Sequence, residues 1–158
     1  MRVGQGFDVH ALVPGIPLIL GGVAVPHASG LKGDSDGDVI CHAAIDALLG
    51  AAHLGDMGTW FRPNDPGVQG ARSLDLLAKA WMLVREKGFS LGNLDVTVVA
   101  QRPRLSGFRE AMEASLAGVL GVEPDRVSVK AKTADHLGFL GRLEGIAALA
   151  VVGLHQRT

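Results

Sequence analysis

Apolar and polar positions alternate with a period of two over residues 2–9 (RVGQGFDV), which predicts a strand. In that register Phe7 and Val9 point to one face while Asp8 and His10 project together from the other. Residues 17–25 (PLILGGVAV) read as a second strand, interrupted by a bulge or bend at Gly21-Gly22. Residues 28–37 are polar and glycine-rich and predict a mobile loop. The period then lengthens: Val39, Ile40, Ala43, Ala44, Leu48 and Leu49 form a helical stripe ending near residue 52, with Ser35 or Asp36 placed to cap its first amides. Residues 55–72 carry loop chemistry throughout. A second helix is predicted from about Ser73, with Leu74, Leu77, Ala78, Trp81 and Val84 on one side, stopping at Gly88. A third runs from a Ser106 cap through Phe108, Met112, Leu116 and Leu120 to Gly121. Strands are predicted at 95–100, 127–131 and 145–154. Strands interleaved with helices imply an α+β fold, a two-layer α/β sandwich with a mixed sheet, as one domain over residues 1–158.

Composition narrows the function. With 15 basic and 16 acidic residues the formal net charge is -1, so no overall field draws the chain to nucleic acid or a membrane surface. Aromatic residues are only 4% and tyrosine is absent, which disfavours a base-stacking platform. Glycine, at 22 of 158 residues, is about twice its usual share and implies many tight turns. The single cysteine, Cys41, has no internal partner and is read as a small core residue. No charged leader with an apolar stretch opens the chain, and no apolar run reaches the roughly 18 residues of a spanning helix. A cytoplasmic protein is the expectation.

The candidate chemistry lies in two places. Asp38, His42 and Asp46 sit at i, i+4 and i+8, so they share one side of the first helix, with a carboxylate one turn either side of the imidazole. Such a histidine can donate one ring nitrogen to a carboxylate and offer the other to a metal. A solvated helix face is the plainer reading. Adding Asp8-x-His10 gives two imidazoles and a carboxylate, the three-ligand pattern of a catalytic zinc site with an open position. Asp8 as a turn cap beside a half-exposed His10 is the alternative. His27, His53, His136 and His155 have no partner at ligand spacing, although His136 adjoins Asp135, and Trp60 and Trp81 read as packing residues.

The segments GFDVH (6–10), SDGDV (35–39), His42, DALLG (46–50), LGDMG (54–58), NDP (64–66) and GFLGRLEG (138–145) resemble the 2-C-methyl-D-erythritol 2,4-cyclodiphosphate synthase family of the non-mevalonate isoprenoid pathway. The likeness runs over nearly the whole chain without large gaps. It implies a homotrimer with active sites between subunits. It also implies Zn2+ on Asp8, His10 and His42, with Asp46 supporting, and a second ion, Mg2+ or Mn2+, on Asp135. The reaction implied is attack of a 2-phosphate on the β-phosphorus of 4-diphosphocytidyl-2-C-methyl-D-erythritol 2-phosphate, closing a ring and releasing CMP.

Site roles follow from the same resemblance. Thr133 stabilises the transition state, flanked by Ala131, Lys132, Ala134 and Asp135 around the diphosphate. Ala100, Gln101, Arg102, Pro103, Arg104, Leu105 and Ser106 correspond to a loop that holds cytosine. Asp56 meets the diol, with Met57 and Gly58 beside it and Phe61, Arg62, Pro63, Asn64 and Asp65 lining the same pocket. Asp8, Val9, His10 and Ser35 complete the contact set, while Phe139, Arg142 and Glu144 fall near the threefold axis, where Arg142 and Glu144 can pair.

Three positions depart from the family pattern. Asp34 stands where histidine is usual and, when ionised, accepts hydrogen bonds but donates none. Asp135 replaces a common glutamate and is one methylene shorter, and Lys132 replaces a frequent threonine and supplies a cation. Two other functions use the same residues: a metal-dependent phosphohydrolase that releases linear products, and a non-catalytic nucleotide-binding domain.

Overall fold

The computed structural model describes residues 1–157. Its frame is a five-stranded sheet of order β4-β1-β7-β5-β6, built from β1 (Arg2–Pro14), β4 (Ser29–Leu31), β5 (Phe89–Val99), β6 (Val127–Lys132) and β7 (Gly145–Gln156). All neighbours are antiparallel except β5 and β6, which run parallel, so the sheet is mixed. The helices α1 (Val39–Ala51), α3 (Ser73–Glu86) and α4 (Arg109–Leu120) form the second layer. No helix among the described residues is long and apolar enough to cross a membrane.

Alternation along the strands assigns the two faces. In β5, Leu94, Val96 and Val98 are buried beneath the helices, and so are Ile146, Ala148, Ala150, Val152 and Leu154 of β7. The opposite face carries no helix and leaves Val3, Phe7, Val9 and Val151 exposed.

Helix α1 is apolar on nearly all sides and is correspondingly buried, with eleven of its thirteen residues inside the core. It lies unusually close to the sheet. A Cβ placed on Gly6 would meet the Ala43 carbonyl oxygen at 1.9 Å, and one on Gly4 would meet that of Ala47 at 2.0 Å. Only glycine on the strand and alanine on the helix permit that approach, which sets His42 over Asp8 and His10.

Several expected boundaries move, each for a local reason. Residues 17–25 are not one bulged strand but a hairpin, β2 (Leu18–Leu20) and β3 (Val23–Val25), turned at Gly21 (φ 57°) and Gly22 (φ 76°). Positive φ at both turn positions is the type I′ geometry of a tight two-residue hairpin. The expected loop at 28–37 contains β4, which pairs with the prolonged end of β1. The first helix is capped by Asp38 rather than by Ser35 or Asp36, its carboxylate accepting from the Ile40 and Cys41 amides. The 55–72 loop holds a single turn, α2 (Met57–Trp60), capped by Asp56. Strand β5 starts at Phe89 rather than 95, and α4 starts at Arg109 with Phe108, not Ser106, at its cap. A 3-10 turn (Pro124–Arg126) precedes β6, and a short turn, α5 (Gly138–Gly141), precedes β7.

Filling the helix–sheet contact tests this account. Gly6→Ala should destabilise the fold by about 3 kcal/mol, since the Ala43 backbone has nowhere to go. Gly118→Ala, on the exposed side of α4 with nothing within 4 Å, should stabilise by about 0.5 kcal/mol. Urea midpoints of the two variants should therefore move in opposite directions.

Candidate active site

Strand β1 carries Asp8 and His10 on its helix-facing side, and α1 brings His42 down onto them. His10 Nε2 lies 2.8 Å from Asp8 Oδ2, His42 Nδ1 lies 3.0 Å from the same oxygen, and the two nitrogens are 3.1 Å apart. His10 Nδ1–H donates to the Lys32 carbonyl at 2.6 Å, so its Nε2 is the nitrogen left for a ligand. The two ring nitrogens and the carboxylate oxygen thus converge on one point. Ligand atoms around a tetrahedral zinc stand roughly 3.3 Å apart. Opening the triangle by a few tenths of an ångström fits a divalent cation, and two imidazoles with one carboxylate are a donor set that such an ion accepts.

Electrostatics point the same way. Burial raises the Asp8 carboxyl, but the two neighbouring imidazoles, His10 first, outweigh it and hold Asp8 at about 2. The bond to Asp8 raises His10 above 6.5, against the opposing effect of burial. The triad opens on a cavity of about 260 Å³ whose lining includes Asp34 and Asp46 but no lysine or arginine. Burial raises Asp46, helped by the carboxylates of Asp56 and Asp8. So acidic a lining repels a bare phosphate and favours a cation.

The helix-face reading of Asp38, His42 and Asp46 needs correction. Asp38 is fully buried and turned away, accepting from the amides of Gly21 at 2.9 Å and Gly22 at 2.7 Å. Asp46 accepts from the Met57 amide at 2.7 Å and lines the cavity without bonding His42. The second nitrogen of His42 instead meets Ser73 Oγ at 2.9 Å and Ser35 Oγ at 3.0 Å. Ser73 carried no chemical signal in the sequence beyond its place at a helix start.

Met57, Gly58, Phe61 and Pro63 line this cavity, with Val68, which the sequence did not mark. Arg62, Asn64 and Asp65 are exposed and outside its lining, and Val9 points to the uncovered face. Asp56 accepts from the Thr59 amide and hydroxyl at 2.9 and 2.8 Å, capping α2. Asp34 lines the cavity and accepts from the Gln69 amide group at 3.3 Å.

A second cavity, of about 420 Å³, is enclosed by residues 100–106 together with Ala131, Lys132, Thr133 and His136. Its charged lining is Arg102, Arg104 and Lys132, with no carboxylate. The Ala100 amide donates to the Lys132 carbonyl at 2.9 Å and the His136 amide to Gln101 Oε1 at 3.0 Å, tying the two loops together. Asp135 is exposed at φ 51° and lies in neither lining, as does Ala134. Phe139 is exposed beside an Arg142–Glu144 ion pair of 2.7 Å.

The two cavities share no lining residue. Val9, Ala147, Val99 and Lys132 form one row across the sheet, so the same sheet end carries both. Three strand spacings separate β1 from β6 in that row, roughly 14 Å.

The YgbB family model matches residues 1–155. The chain belongs to the YgbB family. A YgbB relative named 2-C-methyl-D-erythritol 2,4-cyclodiphosphate synthase, from Symbiobacterium thermophilum, is 56% identical over 151 residues, 96% of each chain. Among solved structures, the bifunctional IspDF of Campylobacter jejuni superposes with a TM-score of 0.95 at 45% identity, and the YgbB chain, 98% covered, spans 42% of that longer protein. The IspF CDP complex of Plasmodium falciparum superposes at 0.87 with 33% identity, covering 99% of this chain and 97% of that one.

For a YgbB protein with this triad, metal uptake must displace the proton held between His10 and Asp8. Divalent-ion affinity should therefore rise as pH climbs through the elevated His10 value, while Asp8, at about 2, stays ionised throughout. In the metal-free protein the same shift adds stability that is complete below 6.5 and is lost as pH rises past the folded-state value. Chelator-competition titrations between pH 6 and 8 measure the first effect, and a flat profile would exclude His10 as a ligand.

Proposed function

We propose that this chain, acting as one domain, is a CMP-releasing cyclodiphosphate synthase, a phosphorus–oxygen lyase of the cytoplasm. Its substrate is 4-diphosphocytidyl-2-C-methyl-D-erythritol 2-phosphate, and its product is 2-C-methyl-D-erythritol 2,4-cyclodiphosphate. The observation that carries the reading is the pair of oppositely charged cavities at one sheet end, in a chain whose relatives bear this enzyme's name.

The reaction needs no protein nucleophile, because the 2-phosphate oxygen forms the new bond to the β-phosphorus. The bond from that phosphorus to the bridging oxygen breaks, and CMP departs with it. The protein must fold a flexible polyanion so that both ends meet, and neutralise the charge this concentrates. Asp8, His10 and His42 would hold Zn2+, and Asp135 a Mg2+ or Mn2+ ion, which supply Lewis acidity and charge neutralisation. Residues 100–106 present backbone groups to cytosine, while the Thr133 hydroxyl and the Lys132 ammonium face the diphosphate. Asp56 takes the diol, and Met57, Gly58 and the stretch from Phe61 to Asp65 enclose the methylerythritol unit. Lys132 offsets the missing donor at Asp34.

One chain does not suffice for this. The triad and Thr133 lie too far apart in the sheet to share a diphosphate, and the uncovered face exposes Val3, Phe7, Val9 and Val151. Apolar surface of that kind marks association. A homotrimer, with Phe139, Arg142 and Glu144 near its axis, sets one chain's triad beside the next chain's cationic cavity.

Product analysis decides between this activity and hydrolysis at the same triad. The purified protein should yield cyclic diphosphate and CMP in equal amounts and elute in gel filtration at the mass of three chains. Linear products would favour a phosphohydrolase. Asp8→Ala should lower turnover at least about a hundredfold, the equivalent of roughly 3 kcal/mol of lost charge stabilisation. Lys132→Ala should lower it about tenfold, the scale of one charge-assisted hydrogen bond, and an unchanged rate would remove Lys132 from the mechanism.

A further inference from the structure

The hydrogen bonds behind His42 have a direction. Ser73 is fully buried; its amide donates to Asp36 Oδ2 at 3.1 Å, and its hydroxyl makes a short contact with Asp36 Oδ1. A carboxylate only accepts, so the one proton of the Ser73 hydroxyl is committed to Asp36. What Ser73 Oγ turns toward His42 Nε2, 2.9 Å away, is then a lone pair. Nε2 must carry the ring proton and donate it. Ser35 Oγ, 3.0 Å from the same nitrogen, accepts from the Gly37 amide at 3.3 Å, and with the Ser73 proton on Asp36 it is the Ser35 hydroxyl that donates across the 3.1 Å to Ser73 Oγ, so it too turns a lone pair toward Nε2.

We propose that Asp36 and Ser73 are positioning residues for the metal centre: they lock the proton on His42 Nε2 and hold Nδ1 bare toward Asp8 and His10. The inference rests on the metal reading above and extends it to residues that touch neither metal nor substrate. It also gives the start of α3 a function, since Ser73 is that helix's first residue while Asp36 comes from the loop before α1.

Without Asp36 the Ser73 proton is free to turn toward His42. Without Ser73 the only hydroxyl left at Nε2 is that of Ser35, which does not discriminate. Either change releases the competing tautomer, with its proton on Nδ1 facing Asp8 Oδ2 at 3.0 Å. A metal must then pay to move that proton before it binds.

The test reads the tautomer directly. Two-bond proton–nitrogen spectra of 15N-histidine-labelled, metal-free protein at pH 8 should show His42 protonated on Nε2. In Ser73→Ala and in Asp36→Ala the signal should move toward the Nδ1–H form, and zinc affinity from chelator competition should fall about 10- to 100-fold. Circular dichroism confirms that each variant is folded. An Nδ1–H signal in the unsubstituted protein overturns the proposal whatever the variants do. So does a variant that loses zinc affinity while keeping the Nε2–H signal, or one that binds zinc as the unsubstituted protein does. Failure of the unsubstituted protein to bind zinc at all is a separate result, and it removes the metal reading itself.

Discussion

The closeness of α1 to β1 is the constraint from which the rest of the molecule follows. Packed helices and sheets normally stand roughly 8–10 Å from their neighbours because side chains fill the gap. Here Gly4 and Gly6 lie under the carbonyls of Ala47 and Ala43, and backbone nearly touches backbone. The consequence is chemical as well as mechanical. Short side chains such as Asp8 and the two imidazoles meet only because the elements that carry them have been brought so near. The site lies just beyond Gly6 along the strand, where the glycine pattern ends and the polar residues begin.

Charge separation is the second theme. A chain of net charge -1 does not attract polyphosphates as a whole, yet its residues are sorted so that one cavity is acidic and another basic. Under the proposed function, the acidic one would owe its fitness for phosphate to an ion on the triad. The basic one needs no such help, because Arg102, Arg104 and Lys132 have no carboxylate beside them in its lining.

Much of this was legible in the residues. The period-two pattern put Asp8 and His10 on one face, and the helical stripe located α1 around His42. Their meeting was not legible, since nothing local to either segment says which strand a helix packs on; the resemblance to the synthase family supplied it. The glycines at 21 and 22 read as a bulge because a tight hairpin turn and a bulge draw on the same residue type. The short strand β4 went unseen because three residues carry no periodicity. Asp38 leaves the side of the helix that its spacing shares with His42 for a different reason. Spacing along a helix fixes the side from which a residue leaves, but a cap residue lies outside the helix proper, and Asp38 turned to amides of another segment. Ser73 was invisible as a partner of His42, being thirty-one positions away and of a type that caps helices everywhere.

The buried carboxylate of Asp38 ties together parts that are far apart in the chain. It receives two amides from the β2–β3 turn and two from the first turn of α1, and a Cβ on Gly22 would strike Leu74 of α3 at 2.2 Å. The hairpin is thus a keystone rather than an ornament of the surface. Adding or deleting a residue at its tip would withdraw the amides, strand an anion in the interior and loosen the very helix that carries His42. Length variation, which evolution ordinarily permits in surface turns, should be barred from this one.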